Sequence, residues 1–103
     1  MKRYGVYMMC SYPRTGAIYT GMSGNVPERA LQNAGVKSGG AAWAIRFKAR
    51  HLVYYELVDD YARAREREAQ IKKFGRVMKI KMIEEFNPAW SDVQWELAKK
   101  LSL

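Results

Sequence analysis

The sequence contains a single cysteine, Cys10, and a single histidine, His51, among its 103 residues. One cysteine excludes an internal disulfide and a cysteine-based zinc site, and any histidine-containing metal cluster or catalytic triad has to be built on His51. The longest apolar run is a handful of residues, whereas a membrane-spanning helix needs about 20. The apolar stretch after Lys2 and Arg3 is too short for a signal-peptide core, and no small-residue cleavage site follows it. We therefore expect a soluble protein of the cytoplasm with no membrane partner.

Acidic residues are scarce in the first half of the chain. Residues 1–55 carry only Glu28 against eight basic residues, a net charge of +7, whereas residues 56–103 carry nine acids and ten bases. The net charge of the whole chain is +8. Positive charge concentrated on one half of a small domain is typical of proteins that bind a polyanion, and nearby aromatics and glycines suit a groove for nucleic acid.

The length and composition indicate one globular domain, residues 1–103, with 49% hydrophobic and 27% charged residues. Strand-forming patterns predict three strands, over residues 4–10, 17–21 and 51–58. Helices are expected over about 27–33, 61–74, 77–86 and 92–101, with short structure within 43–47 and a basic loop around it. Asn25 and Asp59-Asp60 are expected to cap helix starts, and Gly35 and Gly75 to end helices. This order predicts an α/β (α+β) fold, in which helices pack on a small three-stranded antiparallel or mixed sheet.

Glu68 interrupts the apolar face of the helix expected over 61–74. At 100° per residue four residues fall on one arc of this helix: Tyr61, Ala64, Ile71 and Phe74. Glu68 falls within that arc, where a carboxylate is costly unless it is paired or binds a metal. The residues alone leave two interpretations, an ion pair with Arg65 or Lys72 one turn away or a functional carboxylate.

Several short motifs occur in an order that resembles the GIY-YIG nuclease superfamily. Gly5-Val6-Tyr7 and Tyr19-Thr20-Gly21 resemble its paired signature, and Arg29 follows on the next helix. Residues 52–56, 67–74 and 87–92 resemble a strand, a helix and a C-terminal motif of the small stand-alone members, which are similar to excision-repair nucleases. The resemblance extends over about nine-tenths of the chain.

This resemblance implies a divalent-metal-dependent endonuclease that hydrolyses DNA phosphodiester bonds. It implies that Tyr7 and Tyr19 converge on the reacting phosphate, that Arg29 contacts it, and that Glu68 holds Mg²⁺ or Mn²⁺. A magnesium ion held by one carboxylate keeps several waters, and the arginine fork matches phosphate geometry. Tyr7 is either a general base or a hydrogen-bonding group that orients water, because a tyrosine with a pKa near 10 is a poor base unless its neighbours lower that value. The alternative for both tyrosines is core packing with a satisfied hydroxyl.

Two positions depart from the family's pattern. Met22 stands where the excision-repair branch has a lysine, and Asn33 stands where many members have a histidine or tyrosine. An asparagine can hydrogen-bond a water but cannot take its proton. Asn33 and Asn87 are therefore at most auxiliary site residues. Two other hypotheses stay open: a nucleic-acid-binding module with little or no catalysis, and an interaction domain whose exposed Trp90 and Trp95 dock a protein.

Five basic residues are candidates for further nucleic-acid contacts: Arg46, Lys48, Arg50, Lys72 and Lys73. The first three flank Trp43 and Phe47. Basic side chains that alternate with aromatic ones suit contacts to the nucleic-acid backbone together with stacking on its bases, although a solvated basic loop is the alternative. A second basic run, residues 72–81, either adds phosphate contacts or is a solvated helix face. The expected partner is DNA, duplex or branched or flapped, with RNA as an open alternative. A protein partner or a homodimer is a further option for supplying specificity.

Overall fold

The structure is a computed structural model that describes residues 4–35 and 39–102, without the side chains of Trp43 and residues 101–102. Outside these residues lie Lys2, Arg3 and Lys37, which contribute to the basic first half, and the Trp43 ring, which was expected to stack on bases. The strands are β1 (Gly5–Cys10), β2 (Ile18–Ser23) and β3 (His51–Leu57). The helices are α1 (Val26–Asn33), α2 (Ala42–Arg46), α3 (Tyr61–Lys72), α4 (Arg76–Phe86) and α5 (Gln94–Ser102).

The three strands form one sheet in the order β2-β1-β3, and β1 pairs antiparallel with both neighbours. The expected antiparallel sheet is confirmed, and a mixed sheet is not formed by the described strands. All six residues of the central strand β1 are buried, because helices cover both faces of the sheet. This explains why β1 lacks the apolar–polar alternation of a strand with one wet face.

The two faces of the sheet carry different helices. Val6 and Met8 point to a core shared with residues of α3 and α4, which we call the α3/α4 face. Tyr7 and Met9 point the other way, to a core shared with residues of α1, α2 and α5, which we call the α1 face. Alternate residues of a strand point to opposite faces, so β1 supplies both cores from one short segment.

The helix starts agree with the expected caps. The Asn25 side chain accepts a hydrogen bond from the Glu28 backbone N–H, and the Asp60 side chain accepts one from that of Arg63. Gly35 follows α1 with a left-handed φ of 84°, as expected of a residue that ends a helix.

The prediction that Gly75 ends α3 is wrong. The helix ends at Lys72, and the capping residue Lys73 keeps right-handed geometry; the Lys73 N–H donates to the Gln70 carbonyl and the Phe74 N–H to the Ile71 carbonyl. No left-handed residue is needed, and Gly75 is instead the extended N-cap of α4, with φ −72° and ψ 170°.

Two expectations about burial are also wrong. Tyr61 is 56% exposed because it is the first residue of α3, and the buried face of that helix begins one turn later at Ala64. Trp90 is only 2% exposed, and its indole N–H donates to the Glu84 carboxylate at 3.1 Å. Of the two tryptophans expected to dock a partner, Trp95 alone is on the surface, at 65% exposure. None of the described helices is both long and apolar enough to span a membrane.

Candidate active site

Tyr7 and Tyr19 lie on adjacent strands and on the same face of the sheet. Tyr7 is opposite Gly21 in the register, and Tyr19 is opposite Met9, so the two tyrosines form a diagonal pair. Their ring centroids are 6.1 Å apart, with the rings tilted by 50°. Tyr7 is 1% exposed, whereas Tyr19 is partly exposed. The pair therefore has one hydroxyl inside the fold and one ring nearer the surface.

Gly21 makes this approach of the two rings possible. A Cβ atom at this position would lie 2.6 Å from the Tyr7 hydroxyl and 2.9 Å from Cε2 of Tyr19, both far inside van der Waals contact. Glycine in a strand often marks a place where another group comes close, and here that group is the tyrosine pair. The last residue of the Tyr19-Thr20-Gly21 motif thus has a steric role.

Arg29 and Asn33, one turn apart on helix α1, both lie beside Tyr7. The Asn33 amide is 1% exposed; its Nδ2 donates to the Tyr7 hydroxyl at 2.9 Å, and its Oδ1 accepts the Ala41 N–H at 2.8 Å. The Arg29 guanidinium donates to the Gly39 carbonyl at 3.0 Å. Both side chains therefore also hold the segment that leads into α2 against α1.

The pKa of Tyr7 is raised above its ordinary value, chiefly because burial disfavours the charged phenolate. Repulsion from Tyr19 also raises it, while the Asn33 hydrogen bond and the positive charge of Arg29 lower it. The net direction is upward, so the Tyr7 hydroxyl is neutral at physiological pH. Of the two roles expected for Tyr7, this environment favours a hydrogen-bonding group over a base.

Glu68 lies on α3, whose buried residues Ala64 and Ile71 pack on the α3/α4 face. Its carboxylate is 3.4 Å from the Lys72 ammonium, one turn along the helix, and its side chain is 20% exposed. The ion pair considered from the sequence is therefore present. The Glu68 carboxylate still keeps access to solvent.

A groove of about 290 Å³ runs along the outer edge of β2, and we call it the β2-edge groove. Its lining residues are Ile18, Tyr19, Thr20, Lys72 and Lys79. Tyr19 belongs to the tyrosine pair and Lys72 pairs with Glu68, whereas Glu68 itself is not among the residues that line the groove.

The donor set suits a divalent ion only if substrate and water complete its coordination. Among the described residues, no group of three or more His, Cys, Asp or Glu side chains is arranged to hold a metal. A single, partly exposed carboxylate is a hard oxygen ligand, and Mg²⁺ is commonly held through one or two carboxylates together with waters and phosphate oxygens. Glu68 thus fits Mg²⁺ or Mn²⁺ bound jointly with a phosphate, and does not fit a metal held by the protein alone.

The other predicted nucleic-acid contacts divide between two places. Arg46, Lys48 and Arg50 are exposed around the end of α2, where the Arg46 guanidinium lies 5.5 Å from the centre of the Phe47 ring. Ala44 and Ala49 in the same segment are buried in the core that contains Tyr7, so the three basic residues flank the α1 face. Lys72 and Lys73 are exposed at the end of α3.

Asn87, the other residue expected to be auxiliary, belongs to the connection between α4 and α5. Its amide donates to the carbonyls of Val53 and Ser91, and its oxygen accepts from Ser91. These bonds fasten the connection to β3. His51, on the same strand, lies 3.6 Å from the Asp92 carboxylate.

Sequence reasoning missed one polar group at the β2-edge groove, the Thr20 hydroxyl. Thr20 is 4% exposed, and its Oγ1 has no hydrogen-bond partner among the described residues. No sequence signal marks it, because the burial of the hydroxyl depends on how α3 and α4 pack beside β2.

Comparisons with known proteins agree with this geometry. The family model described as the GIY-YIG catalytic domain matches residues 3–81. A UPF0213 protein of Staphylococcus haemolyticus is 38% identical over 85 residues, which are 82% of this chain and 96% of the relative. A UPF0213 protein of Syntrophus aciditrophicus is 34% identical over 87 residues, 84% of this chain and 94% of that relative. No solved structure gives a significant match. The matched model, the two relatives and the paired tyrosine strands together show that the chain belongs to the GIY-YIG family.

Proposed function

We propose that this protein is a divalent-metal-dependent endonuclease that hydrolyses phosphodiester bonds in DNA. One observation carries the proposal: Tyr7, Tyr19, Arg29 and Asn33 come from three elements and meet on one face of the sheet. A purely structural cluster has no need for an arginine beside two phenol groups. Membership of a family with a nuclease-type fold supports the same reaction.

Arg29 is the phosphate-binding group in this proposal. Its guanidinium is a planar cation whose fork of donors matches two oxygens of a phosphate. The bond from Arg29 to the Gly39 carbonyl holds the side chain beside the tyrosines before substrate arrives. Such preorganisation favours the transition state, in which the phosphorane carries more negative charge than the diester.

Tyr7 is a positioning group and Tyr19 a contacting group. The Tyr7 hydroxyl accepts from Asn33, which leaves its own proton to donate towards Tyr19 or a water. Tyr19 is the more exposed of the pair and also lines the β2-edge groove, so its hydroxyl is the better placed to touch the substrate.

Glu68 would hold the divalent ion, with Lys72 balancing part of the carboxylate charge. When bound, such an ion supplies Lewis-acid polarisation of a phosphate oxygen and lowers the pKa of a coordinated water. The protein's contribution is to present the carboxylate beside the groove that leads to Tyr19.

A second candidate is a nucleic-acid-binding module with weak catalysis, and the Asn33–Tyr7 pair favours it. Asn33 cannot take a proton from water, and the pKa of the buried Tyr7 hydroxyl is raised, so neither group is a base at neutral pH. Both candidates predict salt-dependent DNA binding, and cleavage separates them.

The test is a cleavage assay on supercoiled plasmid and on labelled duplex, flapped, branched and single-stranded DNA, with RNA as a further arm. Each substrate is incubated with Mg²⁺, with Mn²⁺ and with chelator, using the wild type, Glu68→Ala and Glu66→Ala. Glu66 is the matched control because it is exposed on the same helix and its loss changes the net charge equally.

We expect metal-dependent products from the wild type and Glu66→Ala and none from Glu68→Ala. Equal cutting by the wild type and Glu68→Ala would refute the assignment of Glu68. Salt-sensitive binding with no cutting by any of the proteins would support the binding module.

A further inference from the structure

The Thr20 hydroxyl is a buried polar group without a partner. Thr20 is 4% exposed, and its Oγ1 makes no hydrogen bond among the described residues. It is opposite Met8 in the register and so points to the α3/α4 face, at the edge where the groove opens. Buried hydroxyls almost always have a partner, and Thr20 is a lining residue of the groove, so a ligand bound there can supply the partner that the fold does not.

Two lysines approach the same groove from two helices. Lys72 comes from the end of α3 and Lys79 from the first part of α4, and both line the groove with Thr20. Lys79 is partly buried, and the pKa of its ammonium is lowered by burial and by repulsion from Lys72. The Glu68 carboxylate offsets part of the Lys72 charge, and the repulsion that remains at Lys79 favours a further anion beside it.

The donors define the chemistry of the ligand. Each lysine offers only donors, and the threonine hydroxyl is free to donate. A group that accepts several hydrogen bonds and carries negative charge matches this set, and the oxygens of a phosphate do so. Tyr19 lines the groove and also belongs to the tyrosine pair, so a phosphate in the groove and one at the tyrosines can belong to one strand.

We propose that the β2-edge groove is a phosphate subsite, in which Thr20, Lys72 and Lys79 bind the backbone phosphate next to the one that is cleaved. That this phosphate belongs to nucleic acid rests on the proposed function. The subsite itself rests on the groove, its two lysines and the unpaired hydroxyl. It fixes which side of the scissile bond the protein holds, and its contacts carry no sequence information.

The first test compares Lys79→Gln with Lys81→Gln. Both lysines are on α4 and both substitutions remove one positive charge, but Lys81 is exposed and is not part of the groove. Binding of a fluorescein-labelled oligonucleotide duplex is measured in chelator over a range of salt concentrations. We expect Lys79→Gln to weaken binding about tenfold and to reduce the salt slope by about one, with Lys81→Gln changing affinity less than about twofold.

The second test uses Thr20→Val and Thr20→Ser with inorganic phosphate as the probe. Valine keeps the volume and branching and removes the hydroxyl, whereas serine keeps the hydroxyl. In ¹H–¹⁵N NMR titrations we expect phosphate to shift the amide of residue 20 and those of Lys72 and Lys79 in the wild type and in Thr20→Ser. The shifts should be several-fold smaller in Thr20→Val and Lys79→Gln.

The two probes separate failure of the subsite from failure of the proposed function. If the duplex binds but Lys79→Gln behaves like Lys81→Gln and phosphate shifts none of these amides, the subsite is refuted while nuclease function stands. If phosphate shifts the amides but no nucleic acid binds, the anion subsite stands and the proposed function falls. If neither probe binds, both proposals are wrong.

Discussion

Gly21 leaves room for the close approach of the two tyrosines, and the substitution Gly21→Ala, which adds one methyl group, tests this role. In Gly21→Ala the new Cβ would lie 2.6 Å from the Tyr7 hydroxyl, so the ring has to move within a packed core. We expect a loss of about 1–3 kcal/mol in the free energy of unfolding and at least a tenfold loss of cleavage. Denaturant unfolding and the plasmid assay measure the two effects.

Gly24→Ala is the control for this change. Gly24 follows the same strand, and a Cβ there would meet only the Tyr4 ring at an ordinary 3.4 Å. Equal losses in both variants would show that the glycine requirement lies in the backbone of this segment and not in the tyrosine pair.

Tyr7 provides a prediction about pH. The pKa of its buried hydroxyl is raised above the ordinary value of about 10, so Tyr7 stays protonated between pH 7 and 9.5. We expect Tyr7→Phe to lower the cleavage rate about tenfold at every pH in this range while the shape of the profile is unchanged. Loss of a rising limb in the variant would instead identify Tyr7 as the base.

The sequence predicts which of these residues come together better than it predicts their hydrogen-bond partners. The resemblance to the family names Tyr7, Tyr19 and Arg29; strand pairing brings the two tyrosines together, and the packing of α1 on the sheet brings Arg29 to them. The bond from the Ala41 N–H to Asn33 could not be predicted, because it depends on the path of the chain between α1 and α2.

Among the elements, α3 carries Glu68, the metal ligand in the proposed function. It is fastened to β3 by Arg67, whose guanidinium donates to both Glu56 carboxylate oxygens at 2.9–3.0 Å. The same carboxylate accepts from the Tyr54 hydroxyl, and the hydrogen bonds to Glu56 raise the pKa of Arg67. A two-pronged, partly buried pair of this kind resists rotation of the helix.

We expect Arg67→Met to lower the free energy of unfolding by about 1–3 kcal/mol, because Glu56 is left partly buried without its cation. Arg63→Met, on the same helix, should cost less than about 0.5 kcal/mol, since its pair with Asp60 is exposed and 4.0 Å long. Urea unfolding of both variants measures the difference. Similar values would mean that Arg67 adds no more than a surface pair.

Strand and helix types could be predicted from the sequence, and the ends of α3 could not. The arc of apolar residues assigned Tyr61 to the core and carried the helix on to Phe74. Periodicity describes the face of a helix but not where the sheet beneath it ends, and α3 meets the sheet only from Ala64 onward.

In the proposed function, the net charge of +8 sets how strongly the whole molecule is attracted to DNA. If about five to eight side chains contact phosphates, the logarithm of the binding constant should fall against the logarithm of salt concentration with a slope of roughly −5 to −7. Fluorescence anisotropy of a labelled duplex, measured between about 50 and 300 mM salt, gives this slope. A slope near zero would show that the basic half of the chain does not face the nucleic acid.

The fold should also be labile in alkali. Burial, aided by the Asp92 carboxylate, raises the pKa of the Cys10 thiol from 9.0 to about 11. The unfolded chain therefore releases this proton at a lower pH than the folded protein does. The free energy of unfolding keeps the full contribution of this thiol below about pH 9 and loses it as the pH rises towards 11, by up to about 2–3 kcal/mol. The raised pKa values of Tyr7 and Tyr54 add to the loss above pH 10.

Cys10→Ala should flatten the first part of this decline, between pH 9 and 10.5, even though the variant starts from a lower stability. Thermal unfolding at half-unit steps of pH gives the two curves. Parallel curves would remove Cys10 as a cause of the alkaline loss.

The central position of β1 has a consequence for how this protein can evolve. Tyr7 stands in a strand whose six residues are all buried, between side chains that fill both cores. Under the proposed nuclease function, selection on catalysis and selection on stability therefore act on the same residues of β1, and new substrate preferences do not readily arise there. Changes of substrate preference would instead come from the exposed basic residues beside α2 and from Lys72 at the β2-edge groove, where substitutions alter charge without disturbing either core.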